Sequence, residues 1–272
     1  MYHHRPFIFN SDRALGDSVC AVAAAQQLAK LWAPHYGYCY LYAANQKVQD
    51  LMMTPELQLV DHLPEQGVRQ VIHLNVGDFL QERGRRVHPI QHYMQQGGVE
   101  WPEAVPRPLF NLPKRPNYPV QRFDFLIAPF ANETNRQWGT SPEEQAANWR
   151  ALFRQLRVEV PGCSIGVIGG GAHQFRWWDY ECISYVYDRP LAEVVLMMQC
   201  AGCVITVDSG PNRLAHGANI SHHFLLSPTD VFPEVWITHP KAHQIYAKSS
   251  TRWSVDQILS VISESDLTAL SL

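Results

Sequence analysis

Two turns, far apart in the chain, carry the residues best suited to chemistry. The first is Arg13–Ser18, which contains a Gly-Asp pair ahead of an Ala-rich run. The second is Val204–Pro211, an apolar run that ends in Asp-Ser-Gly-Pro. Each pattern predicts a buried strand that ends in a Gly-containing turn and opens a helix, which directs backbone N–H groups toward an anion. One such turn in each half predicts two α/β domains facing each other across a cleft, with a phosphorylated ligand between them.

These turns belong to an ordered set of motifs that resembles the heptosyltransferase-like glycosyltransferases of family 9, which have the GT-B fold. The run VITVDSGPNRLAHGAN, followed by Ser227–Asp230, resembles the family's donor-binding signature, usually V-D-T-G-x-x-H followed by G-P-T-D. Gly16-Asp17 is similar to its N-terminal Gly-Asp pair, and Ala128–Trp138 is similar to the segment that opens its second domain. The resemblance therefore covers most of the chain, in the family's order.

The resemblance implies an inverting, metal-independent glycosyltransferase that uses no cofactor. It would move a sugar from a nucleotide-diphosphate-sugar donor, bound on the second domain, to a hydroxyl group of an acceptor that binds on the side of the first domain. The implied acceptor is a lipopolysaccharide or another glycan. Two alternatives remain open. One is transfer to a modified nucleic-acid base or to a protein, and the other is a non-catalytic nucleotide-sugar-binding protein that has kept the fold.

Sugar transfer needs a base that takes the proton from the acceptor hydroxyl. The resemblance places this carboxylate at Asp17, next to Gly16. From the residues alone, the better interpretation of Asp17 is structural, as a helix N-cap or as a first-turn residue that favours the helix dipole. We also expect Gly16 on the acceptor side, together with Arg85 and Arg86, whose basic cluster is either a solvated loop or a patch for an anionic glycan or a nucleic-acid backbone.

The departing diphosphate of the donor needs N–H groups or cations. Ser209 and Gly210 offer backbone N–H groups at a helix start, where a side chain in place of Gly210 would hold the phosphate away. Arg136 stands where the family usually has Lys, and Arg213 where it usually has His. Both guanidinium groups suit bidentate contact with phosphate, the alternative being a solvated surface side chain.

Three further polar residues belong to the predicted donor site with less defined roles. Asp208 lies beside the phosphate-binding turn, so its carboxylate either accepts hydrogen bonds from that turn or meets the sugar hydroxyls of the donor. Thr229 and Asp230 either contact the donor or form a local Asx or ST turn.

The composition narrows the function classes. A formal net charge of −3 over 272 residues argues against a dedicated nucleic-acid binder driven by a basic field. No apolar run has the length that spans a membrane, and residues 1–6 lack the apolar core of a signal peptide. We therefore expect a cytoplasmic protein without a transmembrane segment.

The cysteines and histidines do not predict a disulfide framework or a metal site. Cys200–Cys203 satisfies C-x-x-C without a second pair, and Pro240 separates His239 from His243, which argues against a zinc-binding helix. We expect surface histidines and small core cysteines in a reducing compartment. The six cysteines are Cys20, Cys39, Cys163, Cys182, Cys200 and Cys203.

Short apolar runs that alternate with helical patterns predict two Rossmann-like domains with parallel sheets. The predicted strands are 6–9, 38–43, 70–74, 123–128, 165–168, 183–186, 204–207 and 223–226. The predicted helices are an amphipathic one over 17–32, then 142–156, and others that begin near 190, 210 and 254.

Six prolines between Trp101 and Pro119 predict a stiff linker. We place the domain boundary near residue 120, which gives an acceptor-side domain over 1–120 and a nucleotide-sugar domain over 121–272.

Overall fold

The computed structural model describes residues 5–64, 68–75, 88–100, 105–114, 119–129, 142–169, 183–207, 209–220, 222–228 and 242–247, together with 258 and 260. The described residues up to Lys114 belong to one compact unit, and those from Pro119 onward belong to a second. The boundary near residue 120 stays a prediction, because residues 115–118 are not among those described.

Within its described residues, the first unit is a four-stranded parallel sheet with three helices. Its elements are β1 (Arg5–Asn10), α1 (Leu15–Tyr36), β2 (Cys39–Ala43), α2 (Gln46–Met52), β3 (Leu57–Leu59), β4 (Val68–Leu74) and α3 (Pro89–Gln96). The strand order is β3-β2-β1-β4. The chain moves outward from β1 to β3 and then returns to the other side of β1, so the order reverses between β1 and β4. Open α/β sheets bind ligands at such a switch point, beyond the carboxyl ends of the strands.

The second unit repeats this plan with six parallel strands. Its elements are β5 (Phe125–Ala128), α4 (Pro142–Glu159), β6 (Ile165–Gly169), β7 (Ile183–Tyr187), α5 (Leu191–Cys200), β8 (Cys203–Val207), α6 (Gly210–Ala218), β9 (His223–Pro228) and β10 (Ala242–Ala247). The order is β10-β9-β8-β5-β6-β7, which places the switch point between β5 and β8. Phe125, Phe153 and Phe224 lie in its buried core.

The predicted α/β class with parallel sheets is confirmed in both units. The eight predicted strands are present within two residues, because each contains an apolar run, which is fully buried in β5 and β8 and buried at alternate positions in β2. Two short or polar edge strands, β3 and β10, were not predicted, and neither were α2 and α3. His243 lies in β10 and is exposed, which confirms the surface prediction for that histidine, whereas His239 is outside the described residues.

Helix α1 differs from its prediction in length and in character. It begins at Leu15, two residues before the predicted start, and ends at Tyr36. Every residue from Ser18 to Gln26 is buried, so the prediction of an amphipathic helix is wrong for this half. The cause is the Ala-rich sequence, whose small side chains let the helix pack closely against β1, β2, α2 and α3.

Part of the proline-rich stretch is held against the first unit by one buried side chain. Nε2 of Gln26 donates to the Leu109 carbonyl at 2.8 Å and to the Met52 carbonyl at 2.6 Å. The Leu109 N–H donates to Oε1 of Gln26 at 3.0 Å. The described residues 105–114 are therefore an ordered extension of this unit as well as part of the predicted linker.

Replacing Gln26 by Met is expected to lower the free energy of unfolding by about 2–4 kcal/mol, because a side chain of similar shape leaves buried backbone groups of Met52 and Leu109 without partners. Urea unfolding measures this change. Gln27→Met is the matched control, since Gln27 is partly exposed and forms none of these bonds. Equal stabilities of the two variants would contradict the role assigned to Gln26.

Candidate functional site

The predicted donor turn joins β8 to α6 at the switch point of the second sheet. Ser209 is the N-cap residue of α6, with φ of −160° and ψ of 176°, but its side chain makes no capping bond. Its hydroxyl instead donates to the Val207 carbonyl at 3.0 Å, so this proton is not available to a phosphate. Pro211 has no N–H to satisfy. The turn therefore leaves the N–H groups at the start of α6 without a side-chain cap from Ser209.

Three polar side chains on α6 are buried. The exposed fractions of Asn212, Arg213 and His216 are 2%, 4% and 4%. The alternative of a solvated surface side chain is therefore wrong for Arg213. A guanidinium so well shielded from water lies in a medium of lower effective dielectric constant, where a charged group interacts more strongly with an opposite charge.

Asn212 was missed by the sequence analysis and is the most informative residue of this turn. Its Nδ2 atom is buried and has no hydrogen-bond partner within the part of the chain that the structure describes. A buried donor without a partner costs about 1–3 kcal/mol, which is why such groups are rare and often belong to binding sites. The sequence signal was a short helix of mostly small or apolar residues in which Asn212 stands next to Arg213, one turn before His216.

The first-unit turn joins β1 to α1 at the switch point of the first sheet. Ala14 is the N-cap residue of α1 and has no capping side chain. Gly16 and Asp17 are the second and third helical residues and are partly exposed. The N-cap interpretation of Asp17 is wrong, because the helix begins two residues before it and the Ser18 N–H already donates to the Ala14 carbonyl at 3.0 Å. The first-turn interpretation of Asp17 stands.

A partly buried hydrogen-bond network adjoins this turn and centres on Asp12. Nδ2 of Asn10 and the hydroxyl of Tyr93 donate to Oδ2 of Asp12 at 2.8 Å and 2.9 Å. The Ser18 hydroxyl donates to the Asp12 main-chain carbonyl at 2.6 Å. We call these four residues the Asp12 network. It connects β1, the loop after it, α1 and α3.

The hydroxyl of Tyr93 stays protonated at every ordinary pH. Burial raises its pKa far above the usual range, and the negative charges of Asp12 and Asp17 raise this pKa further. Tyr93 is therefore a permanent hydrogen-bond donor to Asp12, and the Asp17 carboxylate is close enough to affect it.

The structure places five predicted site residues in two groups, one in each unit. Gly16 and Asp17 lie in the first turn of α1, and Ser209, Gly210 and Arg213 lie at the start of α6. The other predicted site residues fall outside the described part of the chain. They are Arg85, Arg86, Arg136, Asp208, Thr229 and Asp230.

Cysteines contribute to the cores of both units. Cys20, Cys39, Cys163 and Cys203 are buried, and burial raises the pKa of the Cys39 thiol to about 11. Among the described residues, no group of three or more His, Cys, Asp or Glu side chains is placed to hold a metal ion. A search of the same residues finds no helix with the length and apolar character needed to cross a membrane.

Solved structures with the same fold include several glycosyltransferases. TibC of enterotoxigenic E. coli, an iron-containing dodecameric glycosyltransferase, matches with a TM-score of 0.63 and 16% identity over 98% of this chain and 75% of that chain. E. coli heptosyltransferase WaaC with ADP-2-deoxy-2-fluoro heptose matches with a TM-score of 0.65 and 11% identity over 96% and 99%. A glycosyl transferase of family 9 from Veillonella parvula matches with a TM-score of 0.61 and 13% identity over 97% and 92%.

No protein-family model matches the chain, and no curated protein sequence matches it. The likeness to solved structures, at identities of 11–16%, establishes the fold. The α/β fold with parallel sheets that the sequence resemblance implied is therefore confirmed as the fold of these solved structures. A shared fold does not determine the reaction, which depends on the residues at the two turns.

Proposed function

We propose that this protein is a glycosyltransferase that moves a sugar from a nucleotide-diphosphate-sugar donor to an acceptor hydroxyl, with inversion and without a metal ion. The observation that carries the proposal is the set of groups at the start of α6, which are all donors or cations. They are the Gly210 N–H, the buried Nδ2 of Asn212 and the buried guanidinium of Arg213, since Pro211 has no N–H and the Asn212 N–H already donates to the Ser209 carbonyl at 3.1 Å. The occurrence of an ADP-sugar analogue in WaaC, which has the same fold, supports this donor class.

The donor-side chemistry follows from the charge of the leaving group. A nucleoside diphosphate departs with added negative charge, and the positive end of the α6 dipole favours an anion at this place. Arg213 adds a full positive charge in a position shielded from water, and its guanidinium suits phosphate oxygens. In the proposal, Arg136, Asp208, Thr229 and Asp230 complete the donor site.

The acceptor-side chemistry is assigned to Asp17. Its carboxylate takes the proton of the acceptor hydroxyl while the acceptor oxygen bonds the anomeric carbon of the donor sugar. The bond from that carbon to the diphosphate oxygen breaks, and the diphosphate leaves with the electron pair. Attack on the face opposite the leaving group inverts the anomeric centre. Gly16, Arg85 and Arg86 belong to the acceptor side in this proposal, with a lipopolysaccharide or another glycan as acceptor.

Asn212→Ala tests the donor site. We expect the affinity for nucleoside diphosphates such as ADP to fall by about 10- to 150-fold, the equivalent of one lost hydrogen bond to a charged group. We expect no loss of stability without ligand, because the substitution removes a buried donor that has no partner among the described residues. Titration calorimetry and urea unfolding measure the two quantities.

Gln199→Ala is the control for this variant, since Nε2 of Gln199 donates to the Ala218 carbonyl at the opposite end of α6, at 3.2 Å. It should lower stability and leave nucleotide affinity unchanged. If no nucleoside diphosphate binds the wild-type protein at millimolar concentration, the donor-site assignment is wrong.

A further inference from the structure

The start of α1 is held by the Asp12 network in place of a cap. Ala14 supplies no capping side chain, so the first turn has no cap of its own to prevent fraying. The bond from the Ser18 hydroxyl to the Asp12 carbonyl closes this turn onto the preceding loop. Asp17 adjoins Ser18 in the same turn. Contacts that fix the position of Asp12 therefore also restrict the backbone of Asp17, through the bond to Ser18.

Tyr93 connects this loop to a distant part of the chain. Its ring lies on α3 and is fully buried, and its hydroxyl reaches Oδ2 of Asp12 across 81 positions of sequence. Nδ2 of Asn10 bonds the same oxygen and also the Leu74 carbonyl of β4 at 2.9 Å. The Asp12 side chain is therefore anchored to both strands of the switch point through Asn10, and to α3 through Tyr93.

The orientation of the Asn10 amide is fixed by the two acceptors at its Nδ2 atom, because a flipped amide would place an oxygen against a carboxylate and a carbonyl. In this orientation Oδ1 is buried and has no hydrogen-bond partner among the residues described. The unpaired acceptor lowers stability, but an apolar residue in its place would leave the Leu74 carbonyl and the Asp12 carboxylate without this donor. The amide of Asn10 therefore fixes Asp12 at a cost in stability.

We propose that Tyr93 and Asp12 are positioning residues that hold Asp17 in the geometry required of the catalytic base. The inference rests on the proposed function, since it assigns Asp17 that task. Tyr93 fixes the Asp12 carboxylate, Asp12 fixes Ser18 through its carbonyl, and Ser18 fixes the first turn of α1. A displacement of about 1 Å at a reacting group is enough to lower a rate about 100-fold, so small losses in this chain of contacts have large kinetic effects.

A double-mutant cycle tests the inference. We expect Tyr93→Phe, which removes the hydroxyl and keeps the ring, to lower kcat about 10- to 100-fold. In the Asp17→Asn background the same change should alter the residual rate by less than about twofold, because groups that act as a unit are not additive. Ser18→Ala removes the bond from the Ser18 hydroxyl to the Asp12 carbonyl and should lower kcat in the same Asp17-dependent way. This second variant keeps the test usable if Tyr93→Phe folds poorly.

Tyr42→Phe is the matched control, since its ring stacks on Phe9 in the same unit at 4.9 Å and its hydroxyl has no place in the Asp12 network. It should leave kcat unchanged in both backgrounds. An equal loss for Tyr93→Phe with and without Asp17 would show a merely structural role and overturn the inference. A fully active Tyr93→Phe would overturn it too, while the proposed function would stand. If the wild-type protein neither binds nucleoside diphosphates nor transfers sugar, the proposed function fails, and the inference fails with it.

Discussion

The Asp17→Asn variant is expected to transfer sugar about 10²–10⁴-fold more slowly than the wild-type protein, which is the usual contribution of a general base. Asparagine keeps the size of the side chain and much of its hydrogen bonding, but it cannot take the proton of the acceptor hydroxyl. Nucleotide affinity should be nearly unchanged, because the donor groups lie in the second unit. Steady-state transfer rates and nucleotide titrations on the same preparation measure both quantities.

Stability separates this prediction from a structural explanation. Asp17 is the third residue of α1, so loss of its charge removes only a favourable interaction with the helix dipole of about 0.3–1 kcal/mol. Asp50→Asn, at an exposed position of α2, is the matched control and should retain full activity. A fully active Asp17→Asn enzyme would remove Asp17 from the mechanism.

The Gly210→Val variant is expected to lose the stabilisation that a nucleoside diphosphate gives to the wild-type protein. That stabilisation is about 2.7 kcal/mol at a ligand concentration of a hundred times Kd. A branched side chain at the first position of α6 would keep phosphate oxygens away from the backbone N–H groups. Gly210 is not among the described residues with positive φ, but it is helical and precedes Pro211, where a Cβ is disfavoured, so valine should lower the stability of the ligand-free protein as well. Melting curves with and without ADP measure the effect.

Gly210→Ala provides a graded comparison, because a single methyl group should weaken the ligand effect less than an isopropyl group. Both variants should remain folded without ligand, with the lower melting temperature for Gly210→Val, so the ADP-dependent shift is compared with each variant's own ligand-free melting temperature. Full ADP-dependent stabilisation of Gly210→Val would mean that the diphosphate does not approach the start of α6.

Much of the fold was predictable because the buried strands are nearly continuous apolar runs. Val204–Val207 and Phe125–Ala128 are examples, and both lie at the centre of their sheet. β3 has only three residues, and β10 is an edge strand that contains a His and a Gln. Neither segment therefore shows an apolar run that distinguishes it from the neighbouring loops. The character of α1 was mispredicted because alanine suits a buried helix as well as an amphipathic one.

The candidate site was only partly predictable, for a related reason. Gly-containing turns between a strand and a helix are local features, so Asp17 and Gly210 were found from neighbouring residues. The partners of Asp12 depend on tertiary structure, since Tyr93 is 81 positions away and Asn10 reaches Leu74 across 64. No spacing rule in a single sequence connects such residues. The unpaired Nδ2 of Asn212 likewise becomes visible only when its surroundings are known.

The bonds between Gln26 and Leu109 determine when the first unit can finish folding during synthesis. The chain leaves the ribosome N-terminus first, so Gln26 is synthesised long before Leu109. The Leu51 carbonyl likewise has no partner until Asn111 is synthesised, whose N–H donates to it at 2.7 Å. The sheet and helices of this unit are therefore synthesised before the segment that completes their hydrogen bonds. A nascent chain that stalls before residue 109 would expose these buried polar groups, and an N-terminal fragment ending at Lys114 should resist proteolysis better than one ending at Glu100.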